Sequence, residues 1–258
     1  MFKTLNACWR VLATGFSFVI FGLGGLVLGL IVLPLVTLMP GGETKKRDRI
    51  RWVISSNFKF FFGMMHYLGL LRYRVIGKQI LSGDKGCLVI ANHPSLIDVV
   101  SLIAIYPQAC CIVKKELFSN FFVKRIITGA GYIPNDAPES LLQNCADSIA
   151  RGDVLIIFPE GTRTVPGKEM ELQRGAAHIA LRLKCPIRTI HIKVEPSTLT
   201  KNLPWYKIPE RRVDFVVTAK DFLQTDEFIS ESIPLSLAAR QLTRKMKENI
   251  KIDLNSTL

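Results

Sequence analysis

Acidic residues are scarce in this chain: 21 stand against 34 lysines and arginines in 258 residues, for a formal charge of +13. Near the N-terminus charge of either sign is missing, since Val11 to Gly42 carries none. The six cysteines include no C-x-x-C pair, and they form no cluster with the four histidines at ligand spacing. That excludes zinc and dithiol redox chemistry, and no metal is expected. Cys8, Cys87, Cys110, Cys111, Cys145 and Cys185 lie in or beside apolar segments and read as reduced, buried thiols. There is no G-x-S-x-G elbow, no internal repeat and no low-complexity tract. No small-residue cleavage site follows the apolar run, so it is expected to be retained rather than removed as a signal peptide. Within it, "GLGGLVLG" lacks dinucleotide-loop spacing, and Gly25 and Gly29 are expected to allow close helix packing instead.

What is present begins with that run. As one helix it would measure about 48 Å, against roughly 30 Å of bilayer hydrocarbon, so a membrane segment is expected. The surplus leaves two arrangements, a long tilted span or a hairpin broken near Gly24-Gly25. Five of the seven residues from Lys45 to Arg51 are basic. By the positive-inside tendency they place the rest of the chain on the cytoplasmic side of the inner membrane, facing anionic headgroups. Nucleic acid is the competing partner for such charge, but no nucleic-acid-binding motif accompanies it, so none is expected. Residues 1–71 are read as a membrane anchor with a juxtamembrane or interfacial helix, and residues 72–258 as a cytoplasmic catalytic domain. No oligomeric state is read from the sequence.

After the aromatic stretch "WVISSNFKFFFGMMHYLGLL", whose His66 reads as a packed or interfacial residue, strands and helices alternate. "LRYRVIG", "GCLVIAN", "ACCIVKK", "DVLIIFP", "PIRTIHIKV" and "RRVDFVVTAK" read as strands. "SLIDVVSLIAIY", "LFSNFFVKRIITGAG", "ESLLQNCADSIARG" and "LQRGAAHIALRLK" read as helices between them, and "LSLAARQLTRKMKENI" as a basic amphipathic helix at the end. This rhythm predicts the α/β class, with a mostly parallel sheet flanked by helices behind an N-terminal helical membrane anchor.

Two stretches carry chemistry. In "ANHPSLIDVV" Ser95 is a good N-cap and Asp98 completes an S-x-x-D capping box, while His93 lies in the preceding turn. From there Asp98 reaches back to one imidazole nitrogen and leaves the other to accept a proton, so capping and catalysis are compatible. In "IIFPEGTRT" an apolar strand delivers Glu160, Gly161, Thr162 and Arg163 at its carboxyl edge, where open α/β sheets bind ligands. A guanidinium there suits a phosphate, and glycine lets backbone approach closely.

Together these residues resemble the glycerolipid acyltransferase family, which includes the bacterial 1-acylglycerol-3-phosphate acyltransferases. "NHPSLID" matches its N-H-x-x-x-x-D motif at Asn92, His93 and Asp98, and "FPEGTR" its third motif at Phe158 to Arg163. "VKKELF" and "LQRGAAHIA" lie where the family has similar segments, and the resemblance spans roughly residues 72–220. It implies acyl transfer from acyl-CoA or acyl carrier protein to a lipid hydroxyl, with no cofactor. His93 is then the general base, Asp98 its orienting partner, and Glu160, Gly161, Thr162 and Arg163 hold the acceptor headgroup with Lys114 adding positive potential. Ser95 follows a proline in a capping position and is not expected to be a nucleophile. Arg174 is a weaker candidate, and His178 and His191 read as structural.

Two departures leave the acceptor open between 1-acylglycerol-3-phosphate and another lysophospholipid, an amino-acid lipid or a cell-surface lipid. "GYIPNDAP" keeps Gly131, Ile133 and Asp136 of the second motif but lacks its following basic residue, and "CPIRTIHI" has Thr189 for the second proline of the fourth. A noncatalytic membrane scaffold is the alternative from another class, opposed by the intact His93 and Asp98. Trp205, Tyr206, Arg211 and Arg212 suit a lipid-facing border.

Overall fold

The computed structural model describes residues 2–230 and 232–251. The uncharged run forms one continuous helical rod: α1 (Phe2–Val27), a π-helical turn (Leu28–Val32) and α2 (Leu33–Leu38). The chain passes through Gly24-Gly25 without a break, so the hairpin is not formed there. The irregularity falls instead just before Pro34, whose ring cannot accept the ordinary i−4 register, and a wider turn absorbs the misfit.

α3 (Glu43–Tyr67) merges the basic run and the aromatic stretch into a single helix that returns antiparallel to the rod. Phe21 stacks on Phe58 and meets Phe61, and a Cβ at Gly24 would lie 3.3 Å from the Asn57 side chain. Close approach at glycine thus occurs at Gly24 and at Gly15, which faces Trp205 at 3.3 Å, while Gly29 makes ordinary contact at 3.8 Å. Nothing lies within 4 Å at Gly25, contrary to the expectation for it. α3 buries Ile50, Ile54, Phe61, Phe62 and Met65, with Phe62 against Tyr73 and Phe215 on the side of the sheet. The boundary expected between residues 71 and 72 falls inside the first strand (Leu71–Ile76), and α3 shares one core with the strands that follow.

The remaining elements are β1 (Leu71–Ile76), α4 (Lys78–Leu81), β2 (Cys87–Ala91), α5 (Asp98–Ile105), β3 (Ala109–Lys114), α6 (Lys124–Gly129) and β4 (Ile133–Asn135). There follow α7 (Pro138–Ala150), β5 (Val154–Ile157), α8 (Gly175–Leu183), β6 (Ile187–Glu195), β7 (Val213–Leu223) and α9 (Leu235–Ile250). The seven strands form one sheet in the order β1-β7-β6-β2-β5-β3-β4. β6, β2, β5, β3 and β4 are mutually parallel, whereas β7 is antiparallel to β6 and parallel to β1. β2 is buried along its whole length, as a central strand covered on both faces must be. α9 packs its apolar stripe, Ala238, Ala239, Leu242, Met246 and Ile250, onto the body. Five cysteines are buried and reduced, and Cys8 is exposed.

Candidate active site

β2, β5 and β3 are neighbours and point the same way, so the loops leaving their carboxyl ends open at one edge. His93 lies just past β2, Phe158 to Arg163 just past β5, and Lys114 closes β3. The sheet thus brings together, at that edge, segments distant in sequence.

His93 Nδ1 lies 2.8 Å from Asp98 Oδ2. The same carboxylate oxygen accepts the Ser95 backbone N–H at 2.7 Å, and the Ser95 hydroxyl donates to Oδ1 at 2.7 Å. Asp98 starts α5 and reaches back, so one side chain both ends the turn and holds the imidazole. Its carboxyl is fully buried. Desolvation raises its pKa above the ordinary value, partly offset by hydrogen bonds from His93 and Ser95. Because Oδ2 accepts from Nδ1, the imidazole proton sits on Nδ1 and Nε2 keeps its lone pair. Among the described residues Nε2 has no protein partner, and the His93 side chain is 17% exposed. The Ser95 hydroxyl also accepts the Ile97 N–H at 3.3 Å and is wholly buried. Both of its hydrogen bonds are made inside the loop.

The second motif-bearing loop braces the first. Glu160 Oε1 accepts the His93 backbone N–H at 2.9 Å and the Thr164 hydroxyl at 2.7 Å, and the Thr164 N–H donates to the His93 carbonyl at 2.7 Å. The Phe158 ring lies 4.4 Å from the imidazole, centroid to centroid. Asn92 exchanges two hydrogen bonds with the Ile192 backbone, at 2.7 and 2.8 Å, tying the loop to β6. Arg163 donates both Nη1 hydrogens, to the carbonyls of Leu199 at 3.0 Å and Thr200 at 3.1 Å, and fixes the loop after β6. Gly161 adopts φ +67°, a left-handed turn that suits glycine. Thr162 and Lys114 are exposed.

Thus the headgroup-holding part expected of Glu160 is taken up, at least at Oε1, by the backbone of the candidate base. Thr164, Asn92 and Phe158 are the supporting residues that motif spacing leaves unassigned. Asp136 pairs with Lys115 at 2.9 Å, which holds its carboxyl below the ordinary value. Arg174 is exposed at the start of α8, and His66 is exposed. His178 is half-buried, and His191 is tied through Nδ1 to the Ile250 carbonyl at 2.9 Å. Among the described residues no group of three or more His, Cys, Asp or Glu side chains is gathered for a metal.

The parallel sheet thus carries at one edge a histidine–aspartate pair braced by a Phe-Pro-Glu-Gly-Thr-Arg loop. Residues 72–193, a little under half of the chain, match the family described as Acyltransferase. The human protein named 1-acyl-sn-glycerol-3-phosphate acyltransferase beta is 30% identical over 165 residues, 60% of this chain and 56% of its own. The 1-acyl-sn-glycerol-3-phosphate acyltransferase of Helicobacter pylori is 33% identical over 134 residues, 49% of this chain and 54% of its own. The chain therefore spans little more than half the length of these curated relatives. Its fold is shared with the crystal structure of the 1-acyl-sn-glycerophosphate acyltransferase PlsC from Thermotoga maritima. The TM-score is 0.72 at 21% identity, with 99% of this chain and 100% of that one covered.

Proposed function

We propose that the protein is a membrane-bound O-acyltransferase that moves a fatty acyl group from acyl-CoA or acyl carrier protein to the free hydroxyl of 1-acylglycerol-3-phosphate, giving phosphatidate. The observation that carries this reading is the buried Asp98 carboxylate 2.8 Å from His93 Nδ1, which leaves Nε2 as an available base at the sheet edge. An alcohol is a weak nucleophile near neutral pH. Nε2 takes its proton as the oxygen attacks the thioester carbonyl, and Asp98 stabilises the resulting imidazolium. The C–O bond forms, the C–S bond breaks, and the imidazolium returns the proton to the departing thiolate. General-base assistance of this kind contributes about 10²- to 10⁴-fold. Neither a covalent acyl-enzyme nor a cofactor enters these steps.

Acceptor phosphate falls to the remaining donors of Arg163, to the exposed Lys114 at the end of β3 and to backbone at Gly161 and Thr162, all at the sheet edge that carries His93. The names of the relatives support lysophosphatidate as acceptor. One observation favours a second reading within the same chemistry: Ala137 follows Asp136 where the family's second motif has a basic residue, and Asp136 is already paired with Lys115. Another lysophospholipid or specialised lipid is then the acceptor. Membrane attachment is supported by the apolar rod, the one helix among the described residues long and apolar enough to cross a bilayer. The basic run supports a cytoplasmic-facing domain on the inner membrane.

The test is acyl transfer from each donor onto 1-acylglycerol-3-phosphate, with wild type and His93→Ala compared at equal folded protein. Phosphatidate formed by wild type alone is expected. Equal rates would remove His93 from the chemistry, and no transfer by either would move the acceptor to the second reading.

A further inference from the structure

Where the chain enters α6 it turns a corner at Asn120 to Arg125 that exposes Phe121, Phe122, Lys124 and Arg125. Phe121 and Phe122 are 73% and 61% exposed and pack edge to face on one another, with centroids 5.6 Å apart. The corner is built rather than loose: Asn120 Oδ1 accepts the N–H of Phe122 at 2.9 Å and of Val123 at 3.4 Å, and Lys124 N–H donates to the Asn120 carbonyl at 2.9 Å. Lys124 and Arg125 are exposed directly behind the rings, and neither has an acidic partner among the described residues.

The position of this corner matters as much as its composition. Phe121, Lys124 and Arg125 face Leu33, Pro34 and Thr37 of the rod across a cleft of about 730 Å³. At the π-helical turn, Gly29 lies against the Phe122 carbonyl and Ile126. The corner therefore meets the same end of the rod that exposes Leu30, Ile31, Leu35 and Leu38. We propose that Asn120 to Arg125 is a second membrane-contacting element, in which Phe121 and Phe122 dip below the headgroups of an anionic phospholipid bilayer while Lys124 and Arg125 engage its phosphates. Aromatic rings bordered by cations suit that boundary, and basic side chains gain attraction at an anionic surface. The corner lies on the loop that continues from Lys114, so it places the mouth of the candidate site against the lipid. The inference rests on the membrane reading above and deepens it.

A depth measurement tests it without requiring acyl transfer. In a Cys8→Ser background the other cysteines are buried, so an environment-sensitive NBD probe can be attached to Phe121→Cys or, as a reference at the opposite sheet edge, to Lys85→Cys. Full-length protein is bound to phosphatidylglycerol–phosphatidylethanolamine vesicles, and binding is confirmed by flotation. The probe at 121 is expected to shift to the blue and to be quenched by nitroxides on the acyl chains at least twofold more than the probe at 85. Adding Lys124→Ala and Arg125→Ala, or replacing the vesicles with phosphatidylcholine, should cut that quenching at least twofold. A probe at 121 as wet as that at 85 in bound protein overturns the proposal. So does a blue shift without lipid quenching, which would mean the rings meet a second protein copy. Protein that floats and shows the depth pattern but transfers no acyl group would refute the assigned reaction and leave this surface standing.

Discussion

Thr164 lies one residue beyond the F-P-E-G-T-R stretch, yet it holds the candidate base from three directions. Its N–H reaches the His93 carbonyl, its hydroxyl donates to Glu160, and the same hydroxyl lies 3.3 Å from the His93 N–H. A reacting alcohol and an imidazole must be aligned closely, because a small misplacement of a catalytic group carries a large rate penalty. Thr164→Val keeps the β-branched shape and deletes the hydroxyl. We expect kcat to fall about ten- to a hundredfold with KM for both substrates nearly unchanged, on the scale of such misalignment. Steady-state kinetics read that split, and a rise in KM with constant kcat would assign Thr164 to substrate binding instead. The sequence made His93 and Asp98 legible because a turn followed by a helix start allows only a short reach between them. It did not reveal where Glu160 and Arg163 point. Both are polar residues at a strand's carboxyl edge, and only the fold brings the His93 backbone and the carbonyls of Leu199 and Thr200 within their reach.

The elements tell a similar story, with Arg51 as the clearest correction. By sequence it belongs to the basic run assigned to headgroups, but α3 carries it into the core, where it is 1% exposed. It donates to the Ala130 carbonyl at 2.7 Å, the Gln108 carbonyl at 3.1 Å and Asp153 at 2.8 Å, pinning α3 to the loops around β3, α6 and β5. Burial alone would raise the Asp153 pKa, but Arg51, Ser148 and Arg151 outweigh it and hold the carboxyl below its ordinary 3.8. A carboxyl depressed by folding adds stability that is complete above its unfolded pKa and disappears as pH falls through its folded one. Arg51→Met leaves Asp153 with Ser148 and Arg151 only, so we expect a loss of roughly 3 kcal/mol near neutral pH, at the low end for a broken buried pair. Denaturant unfolding at pH 7 and again below pH 4 should show the gap between wild type and variant narrowing in acid. A gap independent of pH would mean the arginine acts through its carbonyl contacts alone. Apolar strands bounded by turn residues, such as β2 and β5, were readable from the sequence for the reason they are buried. β4 was not, since its three residues include Pro134, and neither was the reversed direction of β7, which depends on its partner β6.

At the scale of the whole molecule, the length of the N-terminal rod poses a question that its packing answers. Thirty-five residues of helix from Thr4 to Leu38 measure about 52 Å, too long for a perpendicular span. Near one end, Arg10 donates to the carbonyls of Gly69, Leu70 and Pro209, and toward the other, Gly29 and Leu33 lie against α6 and α3. Those contacts are separated by about 28 Å of helix, close to the full hydrocarbon thickness. If the rod crossed the bilayer, polar loops and the charged start of α3 would have to enter the hydrocarbon beside it, at a large desolvation cost. Its outward stripe, Leu5, Trp9, Leu12, Phe16, Val19 and Leu23, is exposed while Ala13, Thr14 and Ser17 are buried on the body, the pattern of a helix lying in the membrane plane. We therefore expect both ends of the rod on the side that holds the sheet and its candidate site. In a Cys8→Ser background, Thr4→Cys, Gly42→Cys and Lys85→Cys should all react with a membrane-impermeant maleimide added to the same face of sealed vesicles. Labelling of Thr4→Cys only from the face opposite to Lys85→Cys would establish a span and require the rod to detach from the body in lipid. Labelling of all three from one face makes the rod part of the surface that seats the candidate site on the membrane, the geometry that lateral entry of the proposed lipid acceptor to His93 requires.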